Sequence, residues 1–218
     1  AINEFLKGHQ WACKGPVRMV FKETPFQSGR LITPFQSLPD RRIRLRINTL
    51  IDGHEICEVD FSANHLRLNL AFNFNEEAGF TPYEDIAEIA RLEDRQRVKD
   101  FITIAMGADD RDKARDACAG KGISFELFDT IESATLKRYP KLELFAGWGI
   151  FAQNFEGQIL KDVMLQGVEE NMVVLPVHDA VAIQTDNVHW AVNAMQETWS
   201  RKVGTTASIP VKIDYASS

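Results

Sequence analysis

The chain has 218 residues, 44% apolar and 26% charged, with 25 basic against 31 acidic side chains. That suits one large domain, or a domain with a subdomain, around a proper core. No apolar run reaches the length of a membrane span, the first eleven residues lack a signal-peptide pattern, and a net charge of −6 excludes a simple basic nucleic-acid module without excluding a local basic groove.

Cys13, Cys57 and Cys118 are odd in number and widely spaced. Buried, reduced thiols in a cytoplasmic protein are expected, not a disulfide framework or a zinc site. Residues 1–40 hold four prolines and read as an irregular arm with short helices or strands. The basic stretch Arg41, Arg42, Arg44, Arg46 alternates with Ile43, Leu45 and Ile47, which predicts a strand over 41–51 with one basic face. Asp52-Gly53 is a turn signal, and 55–61 predicts a second strand, completing an antiparallel hairpin.

A helix is expected over 62–75, where Leu66, Leu70 and Phe74 share a stripe. Thr81-Pro82-Tyr83-Glu84 predicts a capped helix start. Over 94–107, Val98, Phe101, Ile102 and Ala105 make an apolar stripe, with Arg95, Lys99 and Thr103 together on another face. Further helices are expected at about 110–119, 124–138, 141–170 and 187–202. The apolar runs 172–177 and 180–184 flank His178-Asp179 and predict a tight hairpin with an acidic tip, and a last strand is expected near 209–214. Few strands, long helices and antiparallel pairing give an α+β class.

Two carboxylates stand out. Asp60 ends an apolar strand, and Asp179 sits at the tip of an apolar hairpin. Such groups are costly beside a core unless paired or metal-bound, and a divalent cation would relieve both burial and mutual repulsion. Strand ends and turns also favour Asp for local reasons. Arg95 and Lys99, one helical turn apart, could share an anion. They could equally form a solvated face beside Glu93, Asp94 and Asp100.

The order of short segments narrows these alternatives. VDFSANHLRL (59–68) resembles motif A of family A, DNA polymerase I-like, DNA polymerases, and LPVHDAVAI (175–183) resembles motif C. GRLITPFQSLP (29–39) resembles the segment before motif A. RQRVKDFITIAMG (95–107) resembles the motif B fingers helix, and GISFELFDTIESATLKRYP (122–140) the stretch after it. AQNFEGQILKDVML (152–165) resembles the helix before motif C. All occur in the family's order.

The resemblance implies an α+β fold with an antiparallel palm sheet packed by helices and a small helical fingers subdomain. It divides the chain into 1–75, an N-terminal arm and first part of the palm; 76–140, reduced fingers; and 141–218, the second part of the palm. It implies a template-directed DNA polymerase core with DNA primer-template and nucleoside triphosphates as partners. Asp60, Asp179 and the main-chain carbonyl of Phe61 would hold two Mg²⁺ ions, with Mn²⁺ as a substitute. Arg95, Lys99 and His65 would meet the nucleotide, Arg30 and His178 the primer-template, and Arg67 would brace the palm. No segment resembles the family's thumb or proofreading exonuclease, so a thumb domain or accessory protein is a further expected partner.

Several positions depart from the family pattern. His65 stands where motif A carries a Glu linked to sugar choice, Thr103 where motif B carries an aromatic, Glu156 where a Gln precedes Gly157, and Ala180 where a Glu follows the motif C Asp. A palm that binds primer-template or a partner without synthesis is therefore the alternative reading. A ribonucleotide-using or template-independent transferase is another, and an acidic scaffold without nucleic acid is the plainest.

Overall fold

A computed structural model describes residues 1–40 and 42–216. Arg41 of the basic stretch lies outside them. The chain divides into two compact units, Ala1–Ser62 with Gln153–Ser218, and Ala63–Ala152.

The first unit is built on an antiparallel sheet. Its strands are β3 (Leu50–Ile51), β4 (His54–Phe61), β5 (Leu175–Val177), β6 (Ala180–Gln184) and β7 (Val211–Tyr215). Strand β4 is central: β6 pairs with it on one side, β7 and β3 also pair with it, and β5 lies beyond β6. Its period-two pattern explains the position. Cys57, Val59 and Phe61 are buried on one face, while Glu58 and Asp60 alternate onto the other. Helix α8 (Val188–Val203) packs on β4 and β6, burying Ala191, Ala194, Met195 and Trp199.

The same unit carries helix α1 (Ile2–Lys7) and a separate hairpin of β1 (Arg18–Phe21) and β2 (Ser28–Ile32), followed by a 3₁₀ turn at Phe35–Ser37. Helix α7 (Gly149–Glu169) meets β2 where both chains have glycine. A Cβ on Gly157 would stand 1.9 Å from the carbonyl oxygen of Gly29, itself at φ +77°. Gly157→Ala is therefore expected to lower the denaturation midpoint, by about 1–3 kcal/mol of stability. An unchanged midpoint would rule out so close an approach.

The second unit is helical: α2 (Asn64–Phe74), α3 (Pro82–Ala90), α4 (Arg95–Gly107), α5 (Arg111–Ala119) and α6 (Phe125–Arg138). Its core centres on Phe101 and Phe128, both fully buried and packed edge to face at 5.0 Å. Asp94, Asp110 and Ser124 each accept a backbone N–H at the start of α4, α5 and α6. Pro82 opens α3 as expected. The expected side-chain cap does not form: the Thr81 hydroxyl donates to Asp85 Oδ1 at 3.1 Å instead.

Three further expectations are corrected. Among the described residues of 41–49 there is no strand; the segment runs through turns. Ile47 is buried, but Ile43 and Leu45 are exposed, so the alternation marks no continuous face. Helix α7 begins at Gly149, not near 141. Before it, Phe145 and Gly147 both take positive φ, and their N–H groups donate to the carbonyls of Ala105 and Ala108 at the end of α4. Cys13 is exposed, whereas Cys57 and Cys118 are buried. Burial pushes both buried thiols up to about 11. Ellman's reagent is expected to modify one thiol rapidly at neutral pH in the folded chain and all three after unfolding. Rapid reaction of Cys57 or Cys118 in the folded chain would contradict this packing.

No described helix is long and apolar enough to cross a membrane.

Candidate active site

The β4–β6–β7 ladder sets the geometry. Glu58 stands opposite Asp214 on β7 and Ala182 on β6, and Asp60, two residues on, stands opposite Lys212 and Ala180. Alternation puts these residues in two adjacent rows on one face of the sheet. Strands β5 and β6 are joined by the two-residue turn His178-Asp179, with Val177 paired to Ala180. His178 takes the left-handed conformation at φ 57°, and its N–H donates to Gln36 Oε1 at 3.5 Å. Asp179 follows at the tip, next to the residue that faces Asp60. Neighbouring strands lie about 4.8 Å apart, so the turn brings the Asp179 backbone to the end of the strand that pairs with the one carrying Asp60.

Asp60, Asp179 and His178 line a single cavity of about 390 Å³. Arginines and further carboxylates line it too. Register alone would leave Glu58 and Asp214 facing each other, an unfavourable like-charge pair. The 42–49 turns correct this. Arg46 donates to both Glu58 oxygens, at 2.6 and 2.9 Å, and Arg44 to both Asp214 oxygens, at 2.8 and 3.0 Å. Arg44 sits at φ 52°, a left-handed conformation costing roughly 1–2 kcal/mol, and its bonds to Asp214 and the Tyr215 carbonyl hold it there. Hydrogen bonding to Glu58 raises the Arg46 guanidinium above its ordinary value, and that to Asp214 does the same for Arg44.

Arg30, in the first unit, is exposed on β2 opposite Val20. His65, Arg95 and Lys99 belong to the second unit. His65 is half-buried in the first turn of α2. Arg95 and Lys99 are exposed on α4, one turn apart, but Arg95 is engaged: it pairs with Glu84 at 2.7 Å and lies over the Tyr83 ring. Arg67 is not a surface arginine. It is buried and donates to the carbonyls of Ala78, Gly79 and Phe80, fixing the loop into α3. Desolvation lowers its pKa.

Sequence reasoning missed Glu58, Asp214 and Lys212 as members of the cavity. Glu58 carried a usable signal, two residues from Asp60 on the same strand face. Lys212 carried none, because nothing in its neighbourhood specifies the β4–β7 register.

This antiparallel sheet packed by helices has the α+β arrangement of a polymerase palm. Among solved structures, the chain is similar to the POL domain of Pol1 from M. smegmatis, in complex with DNA primer-template and dNTP, with a TM-score of 0.53 at 14% identity over 85% of this chain. It spans 45% of that chain's length. At this identity the likeness is one of fold. No family model matches the chain, and no curated protein matches it.

Proposed function

We propose that the chain is a template-directed DNA polymerase core that adds nucleotides to a primer 3′-hydroxyl. One observation carries the reading: Asp60 and Asp179, from the central strand and the adjoining hairpin tip, line one cavity on a sheet with palm-like topology. In this reading residues 76–140 are reduced fingers, and 1–75 with 141–218 make the palm.

The donor set suits Mg²⁺, which takes one or two carboxylates and completes its shell with phosphate oxygens and water. Among the described residues no group of three or more His, Cys, Asp or Glu forms a metal cage. Asp60, Asp179 and the Phe61 carbonyl would hold the ions. Two Mg²⁺ ions, or Mn²⁺, would supply a lowered pKa for the attacking hydroxyl and charge neutralisation for the leaving pyrophosphate.

The reaction forms a bond from the primer 3′-oxygen to the α-phosphorus and breaks the bond from that phosphorus to the bridging oxygen of the β-phosphate. The hydroxyl proton leaves to solvent. The chain's own contribution is positioning and fixed charge. Lys99, Arg95 and His65 would bind the triphosphate and sugar, and Arg30 and His178 would bind the primer-template. A thumb domain or accessory protein would complete the grip on DNA.

Primer extension with Mg²⁺ or Mn²⁺ and all four deoxynucleotides, beside Asp60→Ala and Asp179→Ala, tests this. Extension by the parent alone supports it. The engagement of Arg95 by Glu84 favours a second reading, a palm-derived module that binds primer-template without synthesis. That reading predicts salt-sensitive DNA retention and no extension.

A further inference from the structure

Lys212 on β7 stands directly across the ladder from Asp60, and both side chains line the same cavity. Directly opposed residues have Cβ atoms about 4.5–5.5 Å apart, well within reach of a lysine ammonium. The cavity's two arginines, Arg44 and Arg46, are each committed to a bidentate carboxylate pair on the neighbouring row. The described lining counts three cations, Arg44, Arg46 and Lys212, against four carboxylates, Glu58, Asp60, Asp179 and Asp214, a formal charge of −1. A divalent ion entering there meets the ammonium of the exposed Lys212 as well as its ligands. Part of the attraction that two carboxylates would exert is cancelled before the metal arrives.

We propose that Lys212 is a built-in cation of the cavity that weakens divalent-metal binding at Asp60. The inference rests on the metal reading given above. It makes Lys212 a positioning residue: its charge sets how tightly the site takes its metal, while the carboxylates remain the ligands. Because the interaction is coulombic in a water-accessible cavity, the effect is largest at low ionic strength.

The test is Mn²⁺ binding to the whole chain, read from the electron paramagnetic resonance signal of free Mn²⁺. It compares the parent, Lys212→Met, Lys212→Arg and Asp60→Asn, with circular dichroism confirming that each is folded. Lys212→Met is expected to bind Mn²⁺ about tenfold more tightly than the parent at low salt. Lys212→Arg, which keeps the charge, should match the parent, and Asp60→Asn should lose the site. Equal affinity of Lys212→Met and parent, with binding still lost in Asp60→Asn, overturns the role of Lys212 and leaves the metal reading standing. Tightening by Lys212→Arg as large as that by Lys212→Met assigns the effect to side-chain shape and overturns it too. No Mn²⁺ bound by any of the four chains overturns the metal reading and this inference together.

Discussion

Asp60→Asn and Asp179→Asn are each expected to reduce primer extension by at least about 10³-fold, or roughly 4 kcal/mol of transition-state stabilisation. Asparagine keeps the size of each side chain and can still hydrogen-bond, so packing is preserved; what it lacks is the negative charge. Both positions are half-buried at the cavity wall, and the isosteric amide should leave the sheet folded. Loss of extension with an unchanged circular dichroism spectrum and unchanged DNA retention is the signature of a metal-holding carboxylate. The two variants should be about equally impaired, because residues that act as one unit do not contribute additively. Extension by either variant within tenfold of the parent would remove that carboxylate from the catalytic reading. Extension absent from the parent as well, with DNA retention intact, would move the protein to the binding-module reading.

How far the site was legible depended on which interaction fixed each element. The β5–β6 hairpin was legible because its cause is local: two apolar β-rich runs with a two-residue polar turn admit little else. Asp60 at the end of β4 was legible for the same reason, as a polar residue closing an apolar strand that leads into a helix. The 41–51 segment misled because its alternation of arginine with Ile and Leu imitates a strand. In the fold, Arg44 and Arg46 are fixed by carboxylates on β7 and β4, and those ion pairs outweigh the local β-propensity. The start of α7 was illegible because it depends on backbone bonds from Phe145 and Gly147 to the end of α4, a contact between segments about 40 residues apart that no periodicity encodes. The departures at His65, Thr103 and Ala180 were visible at once as residue types. The compensating charge at Lys212 became visible only when the register of β7 was known.

Removing the Arg46 guanidinium is expected to cost more stability than any surface change, about 3–5 kcal/mol for Arg46→Ala. Arg46 and Glu58 are only 12% and 10% exposed, so their charges have largely left water and depend on each other. Arg46 also lies 3.7 Å from Asp40 and donates to the carbonyls of Gln36 and Leu38, so its loss also strips a cation and a donor from the 36–40 segment. Glu58 would be left across the ladder from Asp214, the like-charge opposition that Arg46 now offsets. The double variant Arg46→Met with Glu58→Leu removes both charges and keeps apolar volume, and should recover most of the lost stability, since replacing a buried pair by packed apolar groups is often neutral. Urea denaturation of the parent, the single variants and the double variant closes a cycle that isolates the pair. A coupling near zero would mean that the two charges are solvated separately and that the turns at 42–49 are held by other contacts. A coupling of several kcal/mol would establish that the ion pair anchors those turns to the strand carrying Asp60, and so links the stability of the sheet face to the shape of the cavity.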